Sequence, residues 1–184
     1  MNESKRLRVL KLLTRWLEQE ITGLNGYRHD LADSVFRGRL LFTENDPLPC
    51  LSILEALNPD RDPLRAGNND NIASNKTSER WVLLLQGWSK DDIRNPTDSA
   101  YELMADVKKA VAKLFDDKTN DAGLEIDMGG GDLVRAFYLG GLVNGAEIEP
   151  GTVRPPEQNT EKAFFWMRVI LKFTERVQDP YLYS

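Results

Sequence analysis

The fold is decided by Glu79-Arg80-Trp81-Val82-Leu83-Leu84-Leu85-Gln86-Gly87-Trp88, by the polar break Lys90-Asp91-Asp92, and by the helix that restarts at Asn95-Pro96. From Arg80 to Trp88 apolar residues fill both alternation phases, as in a strand buried on both faces. Periodicity alone reads such a short run equally well as a buried helix segment. Trp81, Gly87, Trp88 and the polar turn after them favour a strand. Asn95 then suits a helix N-cap, Pro96 the first helical position, and Asp98 the first turn, where the helix dipole favours a carboxylate. Leu103, Val107, Val111 and Leu114 form a helical stripe with Ala100 and Ala110 beside it, and Lys108, Lys109 and Lys113 fall late, near the negative end of the dipole. Arg80–Trp88 is therefore the central strand, and Asn95–Leu114 the main covering helix, of one domain.

Towards the N-terminus, residues 4–22 read as an amphipathic helix. Leu10, Leu13, Leu17 and Ile21 make its stripe, Leu7 extends it, and Gly23 and Gly26 close it. Lys5, Arg8, Lys11 and Arg15 lie largely opposite. Such a face suits an anionic membrane or an acidic partner, and it equally suits a solvated helix packed on a sheet, which is the commoner use. Val35–Phe42 is the first strand, with Phe36, Leu40 and Phe42 on one face and Arg37 and Arg39 sharing the other. The two arginines either meet carboxylates or phosphates of a partner or guard an edge against aggregation. Two prolines make Glu44–Pro49 a turn, and Cys50–Leu57 is the second strand. Residues 58–78 are polar and long for a loop in a compact domain, which predicts an exposed, flexible segment that orders on assembly.

Towards the C-terminus, Asp116–Gly131 is a polar connection ending in Gly129-Gly130-Gly131. No Gly-Lys-Ser/Thr follows the triplet, so it reads as a turn into a strand over Leu133–Leu139 and not as a phosphate loop. Gly140-Gly141 permits a bend, and Leu142–Glu149 continues as an arm into a proline-containing loop, so that 140–160 is a second flexible loop or arm. In Glu161–Val177 the residues Phe165, Met167, Val169, Leu171 and Phe173 alternate onto one face. Its length predicts a strand that overhangs the sheet or pairs with another chain. Asp179-Pro180-Tyr181-Leu182-Tyr183 is a docking tail or an ordinary packed terminus.

The bulk numbers bound the function. The 184 residues are enough for one domain with a real core, and 41% hydrophobic with 29% charged residues is ordinary for a globular protein. A net charge of -5 argues against a general nucleic-acid binder, though it leaves room for a local basic patch; no sequence-specific nucleic-acid binding is expected. A single cysteine excludes an internal disulfide, and no apolar run approaches a membrane span. One His and one Cys leave no Cys/His zinc site, no cofactor fingerprint is present, and no residue set announces a catalytic centre. Cys50 reads as a buried structural thiol, and pairing with His29 for nucleophilic chemistry has no motif behind it. Pro59-Asp60 with Asp106-Val107-Lys108 imitates a metal-nuclease signature, but Asp106 falls in a helix where that signature expects a strand. A divalent-metal hydrolase using Asp60 or the Asp91/Asp92 pair remains a rival reading, though adjacent carboxylates on a loop usually diverge into solvent.

The order of elements resembles the tail terminator, or tail completion, proteins of long-tailed bacteriophages. The residues that carry the resemblance are Val35-Phe36-Arg37-Gly38-Arg39, Leu48-Pro49-Cys50-Leu51-Ser52-Ile53, the strand Arg80–Trp88 and the helix over Thr97–Leu114. The resemblance implies an α+β single domain: a mostly antiparallel sheet, an N-terminal helix and a second helix packed on it, and long loops or arms. It implies a structural virion protein and no enzyme. Such a subunit joins copies of itself in a ring of about six at the head-proximal end of the tail, where it stops tube growth and meets the head–tail connector. Its partners would be itself, the tail tube protein and the connector, with no membrane; it would assemble in the host cytoplasm. A tube or connector subunit is the alternative. Arg37, Arg39 and Trp88 are the residues expected near a partner surface.

Overall fold

The computed structural model describes residues 3–43, 45–56, 76–90, 94–155 and 162–176, with the side chains of 76–79 and 176 excepted. These residues form an α+β domain. Its main sheet is built from β1 (Val35–Arg37), β2 (Cys50–Glu55), β3 (Lys76–Lys90), β6 (Gly145–Ile148), β7 (Thr152–Arg154) and β8 (Lys162–Arg176). The order is β1-β2-β3-β8-β6, with β7 beside β6 on β8. Among the described strands only β1 and β2 run parallel. The small hairpin β4 (Glu125–Asp127) and β5 (Leu133–Arg135) forms a second sheet.

The strand expected at Arg80–Trp88 is the middle of β3. It pairs residue for residue with β8, from Lys76↔Arg176 to Lys90↔Lys162. The final strand is therefore paired along its whole described length by β3, while β6 and β7 hold much of its other edge; only its last residues, 173–176, extend with 76–79 of β3 beyond β2 and β6. Alternation in the sequence marks the faces of such a strand but says nothing of its neighbours. Phe165, Met167, Val169, Leu171 and Phe173 are all buried on the face towards the helices, opposite Trp81, Leu83 and Leu85.

Helices α1 (Lys5–Glu20) and α2 (Asp98–Lys113) cover that face. Ser4 caps α1 by accepting from the Leu7 N–H. The buried stripe of α1 is Val9, Leu12, Leu13, Trp16, Leu17 and Ile21 just beyond its end. Leu10 is only half-buried and Leu7 is exposed, so the stripe is rotated from the expected one. Trp16 sets the rotation, because its indole N–H reaches the Ala110 carbonyl of α2 at 2.8 Å. The α2 stripe is the expected one, but the helix starts at Asp98. Thr97 stands at its cap without a side-chain bond, and the Asn95 carbonyl accepts from the Asp98 N–H. Asn95 and Pro96 thus form the approach turn. Ser99 then anchors the helix start to β3 through Ser89 Oγ and the Lys90 carbonyl.

Three other expectations change. The predicted connection over 116–131 contains a short helix, α3 (Asp117–Asp121), and β4. The strand predicted over Leu133–Leu139 stops at Arg135, and Tyr138, Leu139, Gly140 and Gly141 then turn left-handed with φ of 51°, 52°, 71° and 76°. Left-handed backbone costs about 1–2 kcal/mol at each non-glycine residue, which the complete burial of Leu139 helps offset. In the expected loop or arm at 140–160, the residues up to 155 hold β6 and β7 end to end along β8. Gly151 lies between them, where an added Cβ would sit 3.0 Å from the Trp166 carbonyl oxygen and against Met104. Most of the predicted loop 58–78 lies outside the described residues, while Lys76–Ser78 already belong to β3. The segments at 156–161 and 177–184, which include the tail, are also outside them.

Candidate functional site

Arg37 and Arg39 do not share a face. Val35–Arg37 pairs with Leu51–Ile53 and then the chain turns at Gly38, whose φ of 70° is the left-handed value glycine allows. The Gly38 N–H still donates to the Ile53 carbonyl, at 2.9 Å. Beyond it the chain leaves the strand. A left-handed glycine breaks strand alternation, so spacing two apart no longer fixes a common side.

Arg39 joins a cluster with Trp88. Its guanidinium lies 4.7 Å from the Phe36 ring centre and 4.6 Å from that of Phe42. The Phe42 and Trp88 rings are 4.1 Å apart. Arg39 also donates to Asp46 at 2.5 Å, and its carbonyl accepts from the Ser52 hydroxyl at 2.6 Å. Asp46 is held below the ordinary carboxylate range chiefly by the Thr43 backbone N–H and further by Arg39. Residues 38–43 and Asp46 are thereby strapped across one end of the sheet face that, among the described residues, carries no helix. Arg39 is engaged by its own chain, and its role is to order this strap. The sequence marks Phe42 only as part of a strand's apolar face and Asp46 only as part of a turn; the signal for the cluster was an aromatic and a carboxylate three and seven residues past Arg39.

Beyond the strap, the same face presents Leu84, Phe164 and Trp166, all half-exposed, with Trp88 at its edge. Ion pairs cross it towards β6: Arg80 with Glu147 at 2.7 Å and Arg168 with Glu149 at 2.5 Å. Among the described residues no helix covers it.

Arg37 points instead to a cleft of about 610 Å³ beside α1. Arg8, Lys11, Arg15, Glu18 and Asp132 line it with Arg37. Positions 8, 11 and 15 are three and four apart, one stripe on the helix surface, and this was the sequence signal for the cleft. The β4–β5 hairpin closes one side, docked on α1 by reciprocal bonds between Gln19 and the Asp127 backbone. Its turn uses left-handed Gly129, Gly130 and Gly131 and brings Asp132 to Arg8 at 2.8 Å. Arg15 meets Glu18 at 3.2 Å and Lys11 meets Glu3. Burial raises the Glu18 carboxyl above its ordinary range, with Arg15 opposing. Arg37 is exposed and makes no hydrogen bond or ion pair among the described residues.

Cys50 and His29 are not brought together. Cys50 is fully buried at the start of β2, and burial pushes its thiol up to about 12; its charged neighbours are Lys162, Asp46 and Arg39. His29 bonds instead to Asp106 of α2. A thiol with that pKa carries about a thousandth of the thiolate of a free cysteine at the same pH. Native protein at pH 8 should therefore label with a thiol reagent at least about a thousandfold more slowly than unfolded protein, read by absorbance with and without guanidinium. Labelling at the unfolded rate would mean that Cys50 is open to solvent. Among the described residues no group of three or more His, Cys, Asp or Glu could hold a metal ion, and no helix is long and apolar enough to cross a membrane. Asp60, Asp91 and Asp92 lie outside the described residues.

Comparison with known protein families and with characterised proteins finds no match.

Proposed function

We propose that the chain is a self-assembling structural subunit. More narrowly, it is a tail terminator that rings the head-proximal end of a phage tail tube, ends tube growth and meets the head–tail connector. The observation that carries the first step is the sheet face that no helix covers among the described residues: Leu54, Val82 and Ile170 on it are buried, while Leu84, Phe164 and Trp166 stand half-exposed beside the strapped Trp88. A contiguous apolar and aromatic surface of this kind is typical of protein interfaces. The second step rests on the resemblance in element order, carried by Val35–Arg39, Leu48–Ile53, Arg80–Trp88 and Thr97–Leu114. A subunit with one adhesive face and a different surface to receive it makes head-to-tail contacts, which close into a ring when the rotation permits.

Negative-stain imaging and light scattering of the purified protein, alone and with its tube protein, test the proposal. Closed rings of about six subunits that cap tubes and halt their growth are expected. A strict monomer that never binds tube ends would overturn it. Tubes that lengthen by incorporating the chain would make it a tube subunit instead.

A further inference from the structure

We propose that the cleft between α1, β1 and the β4–β5 hairpin is a docking site for an acidic peptide segment of a partner protein. Four cations, Arg8, Lys11, Arg15 and Arg37, face two carboxylates, Glu18 and Asp132, in a chain whose net charge is -5. The lining of the cleft thus carries more cations than carboxylates in an acidic molecule, and a local excess of that kind selects a partner by sign.

The cations are not equally engaged. Arg8, Lys11 and Arg15 each hold one carboxylate of their own chain, and Asp33 adds a further negative charge near Glu18. Arg37 has the complete fork of a guanidinium to offer and no acceptor among the described residues. It is the anchor of the site. The helical cations are secondary contacts that an incoming carboxylate can share.

The remaining lining decides the class of ligand. Val35, Phe36 and Met128 also line the cleft. A small oxyanion such as phosphate has nothing to offer an apolar wall. A nucleic-acid strand would meet Glu18, Asp132 and the acidic molecule beyond, which oppose a polyanion of high charge density. A peptide carrying Glu or Asp with aliphatic neighbours satisfies both the guanidinium and the apolar wall. The volume, about 610 Å³, holds a few side chains and not a folded element. The inference draws on the assembly reading only for the source of that segment, a neighbouring ring, tube or connector subunit.

Fluorescence anisotropy with a labelled peptide of alternating Glu and Leu tests it, with a Gln/Leu version as the neutral control. The acidic peptide should bind at least about tenfold more tightly than the neutral one, and its affinity should fall as salt rises. Arg37→Glu should weaken binding by at least about tenfold. Arg37→Gln, which removes the charge without adding a carboxylate beside Glu18 and Asp33, should also weaken it while shifting the thermal midpoint little, since Arg37 makes no hydrogen bond or ion pair among the described residues and only its charge acts on Glu18. Lys11→Gln should weaken it less. Equal affinity for the two peptides, an unaffected Arg37→Glu variant, or tighter binding of tripolyphosphate or a single-stranded oligonucleotide would each overturn the proposal. Rings without peptide binding would remove the cleft and leave the ring; peptide binding by a strict monomer would do the reverse.

Discussion

Replacing Gly87 by alanine should destabilise the protein by about 1–3 kcal/mol, and Gly87→Val should prevent soluble accumulation. The direction runs against the usual trend. Glycine inside a strand is normally a weakness, and alanine in its place gains about 0.5–1 kcal/mol. The φ of Gly87 is not in the left-handed region, so its backbone accepts alanine. The obstacle is a single ring. Gly87 pairs across the sheet with Phe165, and a Cβ on it would lie 2.3 Å from Phe165 Cε1 and 2.7 Å from Cζ. A surface aromatic would swing away, but Phe165 is fully buried in the core and has nowhere to go. Overpacking of this kind forces side chains off their rotamers or shifts the backbone. Guanidinium unfolding of Gly87→Ala, Phe165→Leu and the double variant would measure the effect. Phe165→Leu is destabilising alone, and the double variant should be more stable than the sum of the single losses predicts, because the smaller side chain relieves the clash. An alanine variant as stable as the parent would mean that Phe165 moves freely. The core would then be looser than its burial implies.

Gly87 also shows what the sequence could tell. Its place in an apolar run was readable, and so was the run itself, because strand β3 and helix α2 carry long periodic patterns with polar breaks between them. The alternation of β8 revealed its buried face residue by residue for the same reason. What pins glycine at position 87 is a ring 78 residues away in the chain, and no local pattern holds that information. The other departures share this cause. The common face expected for Arg37 and Arg39 was undone by one backbone angle at Gly38. Strands β6 and β7 are short, with glycine and proline around them, and exist because β8 offers an edge to pair with. The basic stripe of α1 was legible as a pattern. That it faces a cleft and not open solvent depends on where the β4–β5 hairpin docks. Local signals therefore recovered the layers of the fold, and tertiary contacts decided which charged residues are engaged and which are offered.

Asp106 carries the second large effect: Asp106→Ala should cost about 3–5 kcal/mol. In the sequence, Asp106-Val107-Lys108 imitates half of a nuclease signature. In the fold, Asp106 is a nearly buried carboxylate of α2 whose Oδ2 accepts from the Arg28 N–H, the His29 N–H and the His29 ring, at 3.1, 3.1 and 2.9 Å. These bonds hold the chain between α1 and β1 against α2. The same segment is tied back by the Leu31 N–H to the Ile21 carbonyl, with Leu31 fully buried. Alanine would leave two backbone donors and an imidazole without their acceptor, and a buried group stranded in that way costs more than the bond itself contributed. Asn at this position retains one acceptor oxygen and should lose less than half as much. His29→Ala removes one of the three partners and keeps the two backbone bonds, so about 1–2 kcal/mol is expected. Because His29 and Asp106 are partners, the double variant should fall short of the sum of the singles. The segment runs directly into β1, so hydrogen exchange at Ser34–Arg37 should quicken in Asp106→Ala before the amides of β3 and β8 respond. Arg37 would then lose its fixed position over the cleft, and peptide affinity should drop although no residue lining the cleft has changed. An alanine variant with parental stability and parental exchange at β1 would show that the loop is held without Asp106. The coupling from α2 through this loop to Arg37 would then have no physical carrier.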